Sequence, residues 1–216
     1  MKNSSLSDFS LIETILWENG GYFLLDLHMK RLEKSAEYFS FSYAKDDIAS
    51  ALEALAISFD LSRKYRVRLL LGKSGKLDVT SNVLDTTDKY PVKVVLSEEK
   101  TDKNDIFLLH KTTNRTLYER ELAKCRAKGF FDVIFLNQEK EITEGAITNI
   151  IIQKSTTWWT PPLSSGLLGG VYRGHLLKTG EPPLKEKILY LEDLLSADKI
   201  FVINSVRKMV PAVLAE

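Results

Sequence analysis

One lysine in the sequence has the surroundings that amine chemistry needs. Lys111 follows the apolar run 106–109 and stands shortly before a predicted helix, in the segment His110-Lys111-Thr112-Thr113-Asn114-Arg115. Desolvation and the positive end of a helix both disfavour a charged amine, so both lower the pKa of a lysine placed there. A partly neutral amine is the nucleophile of Schiff-base chemistry. Position alone still favours an ordinary surface lysine.

A carboxylate and a glycine pair are the other two candidates. Glu144 lies in Thr143-Glu144-Gly145, just before the apolar strand Ile150–Ile152, which places it at the mouth of the interior. A carboxylate there needs a cationic or hydrogen-bonding partner. Gly169-Gly170 precedes a predicted helix, and backbone N–H groups at such a start favour a bound phosphate. Taken singly, an ordinary turn explains each segment.

Several familiar motifs are incomplete. The run 72–76 has the wrong spacing for a Walker A loop, and Leu77 stands where Ser or Thr is needed, so we expect a hairpin turn. Ser164-Ser165-Gly166 lacks the glycine of a nucleophile elbow. The three histidines are far apart in sequence, and we expect no metal site. Cys125 lies on the apolar face of its helix and is expected to be buried and inert.

The composition limits the classes of protein. Of 216 residues, 44% are hydrophobic and 27% charged, as in ordinary globular proteins. Thirty basic residues against 29 acidic ones leave a charge of +1, which suggests neither nucleic acid nor an anionic membrane as a partner. No apolar run approaches the ~18–20 residues needed to cross a bilayer, and no signal core follows the first residues. We therefore expect a cytoplasmic protein.

Hydrophobic spacing predicts a mixture of helices and strands, and hence an α+β or mixed α/β class. A strand over 11–17, a turn at Asn19-Gly20-Gly21 and a return strand over 22–25 come first. Apolar residues then predict a helix over 25–39, and Asp46 or Asp47 can cap a second helix. Further strands are predicted over 66–71, 77–80, 92–96, 133–136, 150–152, 158–159 and 200–204, and further helices over 113–128, after 170 and over 191–195. The polar stretch 84–90 suggests a link between subdomains 1–88 and 89–216, the second of which carries Lys111.

Four segments occur in an order that resembles a known family. They are His28-xx-Arg31-Leu32, Lys111-xx-Asn114-Arg115, Thr143-Glu144-Gly145-xxx-Asn149 and Gly170-Val171-Tyr172-Arg173. Together they resemble the fold-type-IV pyridoxal-phosphate enzymes (the class IV aminotransferase family), from about residue 10 to Pro211. Residues 36–41, 110–115 and 160–166 look most like the 4-amino-4-deoxychorismate lyase branch, especially the lyase domain fused to aminodeoxychorismate synthase.

The resemblance implies a fold and a set of roles. It implies a small N-terminal α/β subdomain, a C-terminal barrel-like subdomain, and pyridoxal 5'-phosphate in the cleft between them. Lys111 would hold the cofactor and move the substrate proton, and Glu144 would pair with the pyridine nitrogen. Arg31, with His28 one turn earlier, would clamp the phosphate. The remaining implied phosphate ligands are Thr148, Asn149 and the backbone N–H groups of Val171 and Tyr172.

The implied reaction is the lyase step from 4-amino-4-deoxychorismate to 4-aminobenzoate and pyruvate in folate biosynthesis. The alternatives are a branched-chain or D-amino-acid aminotransferase, and a catalytically silent domain that binds a partner such as an aminodeoxychorismate synthase. Lys208 stands where a glycine is common in the family, in the segment on the substrate side. A homodimer is also expected, partly because Trp17, Tyr22 and Phe23 give the first hairpin large apolar groups that a second subunit could cover.

Overall fold

The computed structural model describes residues 9–84 and 90–215. The chain divides into two compact units, one of Met1–Asp85 with His110–Asn114 and the other of Thr86–Leu109 with Arg115–Glu216. Most of the predicted link, residues 85–89, lies outside the described residues. Helices and strands mix in both units, as the sequence predicts.

The first unit is an antiparallel sheet with two helices. Its strands lie in the order β2-β1-β3-β4. The bounds are Leu11–Glu18 (β1), Gly21–Tyr22 (β2), Tyr65–Leu71 (β3) and Leu77–Val83 (β4), with helices Leu25–Phe39 (α1) and Lys45–Ala56 (α2). The core is apolar and includes Leu11, Trp17, Leu32, Ala36, Ile48, Leu52, Val67 and Leu69. Helix α1 has the predicted bounds because its apolar spacing matches one buried face.

Two local details differ from the sequence prediction. The return strand β2 has only two residues, because Leu24 turns the chain with φ 54° and α1 begins at Leu25. The N-cap of α2 is Ala44, and no side chain caps it. Asp46 and Asp47 therefore lie inside the first turn, where their charge favours the helix dipole without capping the helix.

Two aromatic residues of the first hairpin, Trp17 and Tyr22, contact other residues of their own unit. Trp17 is 3% exposed and contacts Phe59 and Tyr65, with ring centroids 5.0 and 5.7 Å away. The Tyr22 hydroxyl donates a hydrogen bond to Leu52 O at 2.7 Å. Residues distant in sequence therefore cover Trp17 and bind the Tyr22 hydroxyl, and the homodimer expected from this hairpin remains a prediction.

The segment with Lys111 belongs to the first unit, whereas the sequence placed it in the subdomain 89–216. Ile12 N donates to Lys111 O at 2.8 Å, and Thr113 N donates to Ser10 O at 2.9 Å. Leu11 and Thr112 form an antiparallel bridge. This pairing with β1 joins residues about a hundred positions apart, and nothing local in the sequence encodes it.

The second unit is built on a barrel. Its sheet has the order β10-β9-β8-β11-β12-β5-β6-β7, and pairing of β7 with β8 closes six strands into a ring, which confirms the barrel-like prediction. The bounds are Val92–Thr101 (β5), Asp132–Asn137 (β6), Ile142–Gly145 (β7), Asn149–Lys154 (β8), Thr157–Thr160 (β9), Leu184–Glu186 (β10), Lys199–Asn204 (β11) and Lys208–Leu214 (β12). Apolar residues fill its core, among them Val94, Ile134, Ile150, Val202 and Val210.

The second unit also contains helices. They are Thr116–Ala127 (α3), Val171–Thr179 (α4) and Leu191–Leu195 (α5), with single 3₁₀ turns at Ile106–Leu108 and Leu163–Ser165. Cys125 is 3% exposed, and burial raises its pKa to about 11, in agreement with an inert thiol. Strand β12 is absent from the sequence prediction, because Pro211 and a polar start at Lys208 obscure its pattern. Among the described residues, no helix is long and apolar enough to cross a membrane.

Candidate active site

In the first unit, a buried carboxylate orients Arg31. Glu13 of β1 is 1% exposed, and its Oε1 and Oε2 accept hydrogen bonds from Arg31 Nε at 2.8 Å and Nη2 at 2.6 Å. His28 Nδ1 lies 2.6 Å from Glu13 Oε2. A side-on, two-point pair of this kind fixes the plane of the guanidinium. Sequence reasoning missed Glu13, although a charged residue inside an apolar strand was a usable signal.

The charges of this cluster are set by burial and by the partners. Burial alone would raise the pKa of Glu13, but the charge of Arg31 and the hydrogen bonds from His28 and Arg31 outweigh it and lower that pKa to about 2. Burial lowers the pKa of His28, against the opposing bond to Glu13. His28 is therefore a neutral ring that donates from Nδ1 to an ionised Glu13. It supports the carboxylate that holds Arg31.

Lys111 is anchored close to the same part of β1. Its carbonyl accepts from Ile12 N, next to Glu13. The preceding residue, His110, has its Nδ1 2.9 Å from Ser35 Oγ, and its ring lies against Tyr38 with centroids 4.6 Å apart. Helix α1 therefore carries Arg31 and also steadies the residue before Lys111. Lys111 is therefore held by Ile12, and Arg31 is held by Glu13. Both sequence-predicted residues of this unit are thus anchored to adjacent positions of β1.

In the second unit, Glu144 is the central carboxylate. It lies on β7, is 7% exposed, and accepts from the Tyr118 hydroxyl at Oε1 and from Asn149 Nδ2 at Oε2, each at 3.2 Å. Both of these donors are neutral groups. Burial and the nearby charge of Glu144 raise the pKa of Tyr118 well above its usual value, so the hydroxyl stays protonated and donates. Sequence reasoning did not identify Tyr118.

Asn149 links this carboxylate to the start of α4. Its Nδ2 also donates to Leu168 O at 2.9 Å, and a β-carbon at Gly170 would overlap its Oδ1. Gly170 is the N-cap of α4 and has no side chain with which to cap it. The structure therefore brings Glu144 and Asn149 close to Gly170, after which α4 begins with Val171 and Tyr172. Anion binding by this helix start remains a prediction.

Asp132 holds the turn between Glu144 and Asn149. Its Oδ2 accepts from Thr148 Oγ1 at 2.7 Å and from Ile147 N at 3.2 Å, and its Oδ1 accepts from Val133 N at 2.9 Å. Burial raises the pKa of Asp132 to about 6 in spite of these bonds. A β-carbon at Gly145 would overlap both Asp132 and Thr148. Because the one hydroxyl hydrogen of Thr148 is given to Asp132, its side chain does not donate elsewhere.

Buried side chains also hold the loop that leads into α4. Three of its carbonyls each accept one hydrogen bond, Pro161 O from Arg173 Nη2 at 2.6 Å, Ser165 O from Asn137 Nδ2 at 3.0 Å, and Leu168 O from Asn149 Nδ2 at 2.9 Å. Arg173 is 3% exposed and also pairs with Glu186 at 2.5 Å. The arginine of the Gly170–Arg173 segment therefore acts inside the protein, where it fixes the first turn of α4.

Comparison with known proteins identifies the family. Residues 10–214 match the model of the amino-transferase class IV family, and the chain belongs to this family. Class IV aminotransferases are pyridoxal-phosphate enzymes, and this is the cofactor class of the chain.

Individual relatives carry two kinds of name. A Schizosaccharomyces pombe protein provisionally named an aminodeoxychorismate lyase is 29% identical over 97% of this chain and 91% of its own length. The aminodeoxychorismate lyase of Bacillus subtilis is 28% identical over 95% and 77%. A Mesorhizobium loti crystal structure, provisionally named an amino-acid aminotransferase, is 32% identical over 96% and 100%, with a TM-score of 0.89. The family is therefore established, whereas the names divide between lyase and aminotransferase.

The residues present fit pyridoxal phosphate. The cofactor has an aldehyde, a basic ring nitrogen and a phosphate, which require an amine, a carboxylate and an anion site. Glu144 is a buried carboxylate that accepts hydrogen bonds from Tyr118 and Asn149, and an ionised carboxylate favours a ring nitrogen that carries a proton. The glycine at the N-cap of α4 lets the chain pass close to Asn149 where a β-carbon would not fit. The Glu144 carboxylate and the start of α4 thus fit the requirements of the family's cofactor.

Proposed function

We propose that this protein is a pyridoxal-phosphate-dependent 4-amino-4-deoxychorismate lyase, which forms 4-aminobenzoate and pyruvate for folate biosynthesis. The observation that carries the proposal is that relatives named for this activity match 97% and 95% of the chain. The lyase-like segment His110–Arg115 supports it. The lysine of that segment is anchored to β1, as a residue with a fixed task would be.

We assign the proton transfer to Lys111. When bound, pyridoxal phosphate withdraws electrons from the substrate carbon that bears the amine. Lys111 Nζ would hold the cofactor and, once the substrate amine has replaced it there, the freed amine would remove the proton from C4 of the substrate ring. Loss of this proton with the enolpyruvyl group makes the ring aromatic, and the departing group takes up a proton to become pyruvate. Lys111 would hold the cofactor again after 4-aminobenzoate has been released.

The other residues bind and orient the cofactor. Glu144 accepts a hydrogen bond from the ring nitrogen, which keeps that nitrogen protonated. Arg31 binds the phosphate while Glu13 holds its guanidinium. We assign the remaining phosphate contacts to Asn149 and the backbone N–H groups of Thr148, Val171 and Tyr172. Thr148 acts through its backbone in this proposal, because its hydroxyl donates to Asp132.

The attachment point can be tested directly. Borohydride reduction of the cofactor-loaded protein should fix the cofactor to the peptide that contains Lys111, and mass spectrometry identifies that peptide. Lys111→Ala should lose the label and the visible absorbance. Lys103→Ala is the matched control, because this partly exposed lysine pairs with Glu139. A labelled peptide that is unchanged in Lys111→Ala contradicts the assignment.

The reaction itself is tested by pyruvate release from 4-amino-4-deoxychorismate, coupled to lactate dehydrogenase, without added 2-oxo acid. A lyase turns over many times under these conditions, whereas an aminotransferase needs a 2-oxo acid as acceptor. The aminotransferase is the second candidate, favoured by the Mesorhizobium loti structure, and would instead exchange a branched-chain or D-amino acid with 2-oxoglutarate. A catalytically silent domain would give neither product.

We also propose that the protein is a cytoplasmic homodimer and that an aminodeoxychorismate synthase is its binding partner. These proposals rest mainly on the family resemblance, since Trp17 of the first hairpin is covered within its own unit. Sedimentation equilibrium at micromolar concentration decides the first. A mass near 24.5 kDa indicates a monomer, and twice that mass indicates the dimer. Co-purification with a synthase tests the second.

A further inference from the structure

The carboxylate of Glu144 is held at both oxygens by groups from different elements. Tyr118 of α3 donates to Oε1, and Asn149 of β8 donates to Oε2, each at 3.2 Å. Because each oxygen has its own donor, rotation of the carboxylate about its last bond would break both hydrogen bonds. The orientation of the carboxylate plane is therefore set by Tyr118 and Asn149 together.

Tyr118 is itself firmly placed. The residue is 8% exposed, and its ring packs on the fully buried Phe135 with centroids 4.6 Å apart. The Arg115 guanidinium lies 5.5 Å from the centre of the Tyr118 ring. Arg115 Nη2 also donates to Ala146 O, in the turn that follows Glu144. The start of α3 thus holds both the carboxylate and the turn beside it.

The hydroxyl of Tyr118 acts toward Glu144 as a hydrogen-bond donor. Burial and the charge of Glu144 raise the pKa of Tyr118, and Arg115 opposes them, so the hydroxyl keeps its proton. A hydrogen bond donated to the charged form of a carboxyl group favours that form. Removing the hydroxyl should therefore make Glu144 easier to protonate.

We propose that Tyr118 is a positioning residue for Glu144, whose hydroxyl fixes the rotation of the carboxylate and keeps it ionised, with Arg115 supporting the tyrosine. The consequence for a ring nitrogen rests on the proposed function, since an ionised and oriented carboxylate is what a protonated ring nitrogen needs. The effect on Glu144 itself does not depend on any cofactor. The two parts can therefore fail separately.

The first experiment uses the cofactor-free protein labelled with ¹³C at the glutamate carboxyl carbons. The Glu144 resonance is identified by its loss in Glu144→Gln, and its pH titration is followed in wild type and in Tyr118→Phe, which keeps the ring packed on Phe135. Loss of one hydrogen bond of about 0.5–1.5 kcal/mol should raise the titration midpoint by roughly 0.4–1 pH unit. Tyr22→Phe is the matched control, because its hydroxyl donates to Leu52 O in the other unit. Equal midpoints in wild type and Tyr118→Phe overturn the proposal.

The second experiment is a double-mutant cycle in the cofactor-loaded enzyme. Tyr118→Phe should lower kcat about two- to tenfold with little change in KM, as expected for the loss of one hydrogen bond. In the Glu144→Gln background the same substitution should have little further effect, because Tyr118 acts through Glu144. A merely structural tyrosine would lower kcat by the same factor in both backgrounds. That additive result would reject the positioning role even if the lyase assignment stands.

Discussion

The amide of Asn149 lies against the α-carbon of Gly170, so close that a β-carbon at 170 would overlap Asn149 Oδ1. The same amide donates through Nδ2 to Leu168 O and to Glu144 Oε2. One side chain therefore joins the start of β8, the loop before α4 and the central carboxylate. These three groups can lie this close together only because residue 170 is a glycine.

This relationship predicts that Gly170→Ala displaces Asn149. We expect cofactor affinity to fall about tenfold or more, because the phosphate contacts assigned to Asn149 and α4 move together. Gly169→Ala is a matched control, since its β-carbon would meet only Leu163 methyl carbons at 3.7 and 3.9 Å, which is ordinary contact. Fluorescence titration with pyridoxal phosphate measures both variants. Equal losses in the two variants would contradict the special role of position 170.

Glu144→Gln should slow turnover much more than it weakens cofactor binding. The amide keeps the size of the side chain and can still meet Tyr118 and Asn149, but it no longer stabilises a protonated ring nitrogen. Loss of a charge-assisted hydrogen bond of ~1.5–3 kcal/mol corresponds to a roughly ten- to hundredfold decrease in kcat. Glu139→Gln is the control, because the side chain of Glu139 is 56% exposed. Unchanged turnover in Glu144→Gln would remove this role from Glu144.

Much of the architecture is predictable from local sequence patterns. Helix α1 has the predicted bounds because its apolar positions repeat at helical spacing, and α5 also matches the predicted range. The confirmed barrel came from the family resemblance. The local patterns missed β12, because Pro211 and Lys208 interrupt the pattern that would otherwise mark a strand.

The surroundings of the candidate site residues are less predictable. Sequence order placed Lys111 with the barrel residues, but pairing with Ile12 of β1 places it in the first unit. Glu13, Tyr118 and Asp132 were likewise missed, because each acts on a residue that is 15 or more positions away. Such partners are set by tertiary packing, which periodicity does not encode.

Arg31→Ala should weaken cofactor binding and also destabilise the first unit. Removing the arginine leaves Glu13 buried with one fewer charge partner, which costs about 3–5 kcal/mol in comparable buried pairs. The double variant Glu13→Gln/Arg31→Ala separates the effects, because it removes the stranded charge but does not restore a phosphate ligand. We expect it to regain part of the lost stability in urea unfolding while cofactor affinity stays at least tenfold low.

The control for this pair of variants is Arg68→Ala on the exposed face of β3. It should change neither cofactor affinity nor stability by a comparable amount. If the double variant binds pyridoxal phosphate as tightly as wild type does, Arg31 serves only to neutralise Glu13. The phosphate must then be held by other residues.

The last prediction concerns Asp132 and pH. Burial raises the pKa of Asp132 to about 6 from an ordinary 3.8, so the folded protein binds this proton more readily than the unfolded chain does. Its contribution to stability is therefore fully present below about pH 4 and is lost as the pH rises through 6.

Asp132→Asn removes this titration. Between pH 4.5 and 7.5, wild type should therefore lose on the order of 1–3 kcal/mol of unfolding free energy relative to the variant. Glu13 does not disturb the comparison, because its pKa of about 2 confines its own effect to pH values below about 4.5. Urea unfolding of both cofactor-free proteins across this range measures the difference, and a difference that does not change with pH would show that Asp132 is not protonated in the folded state within this range.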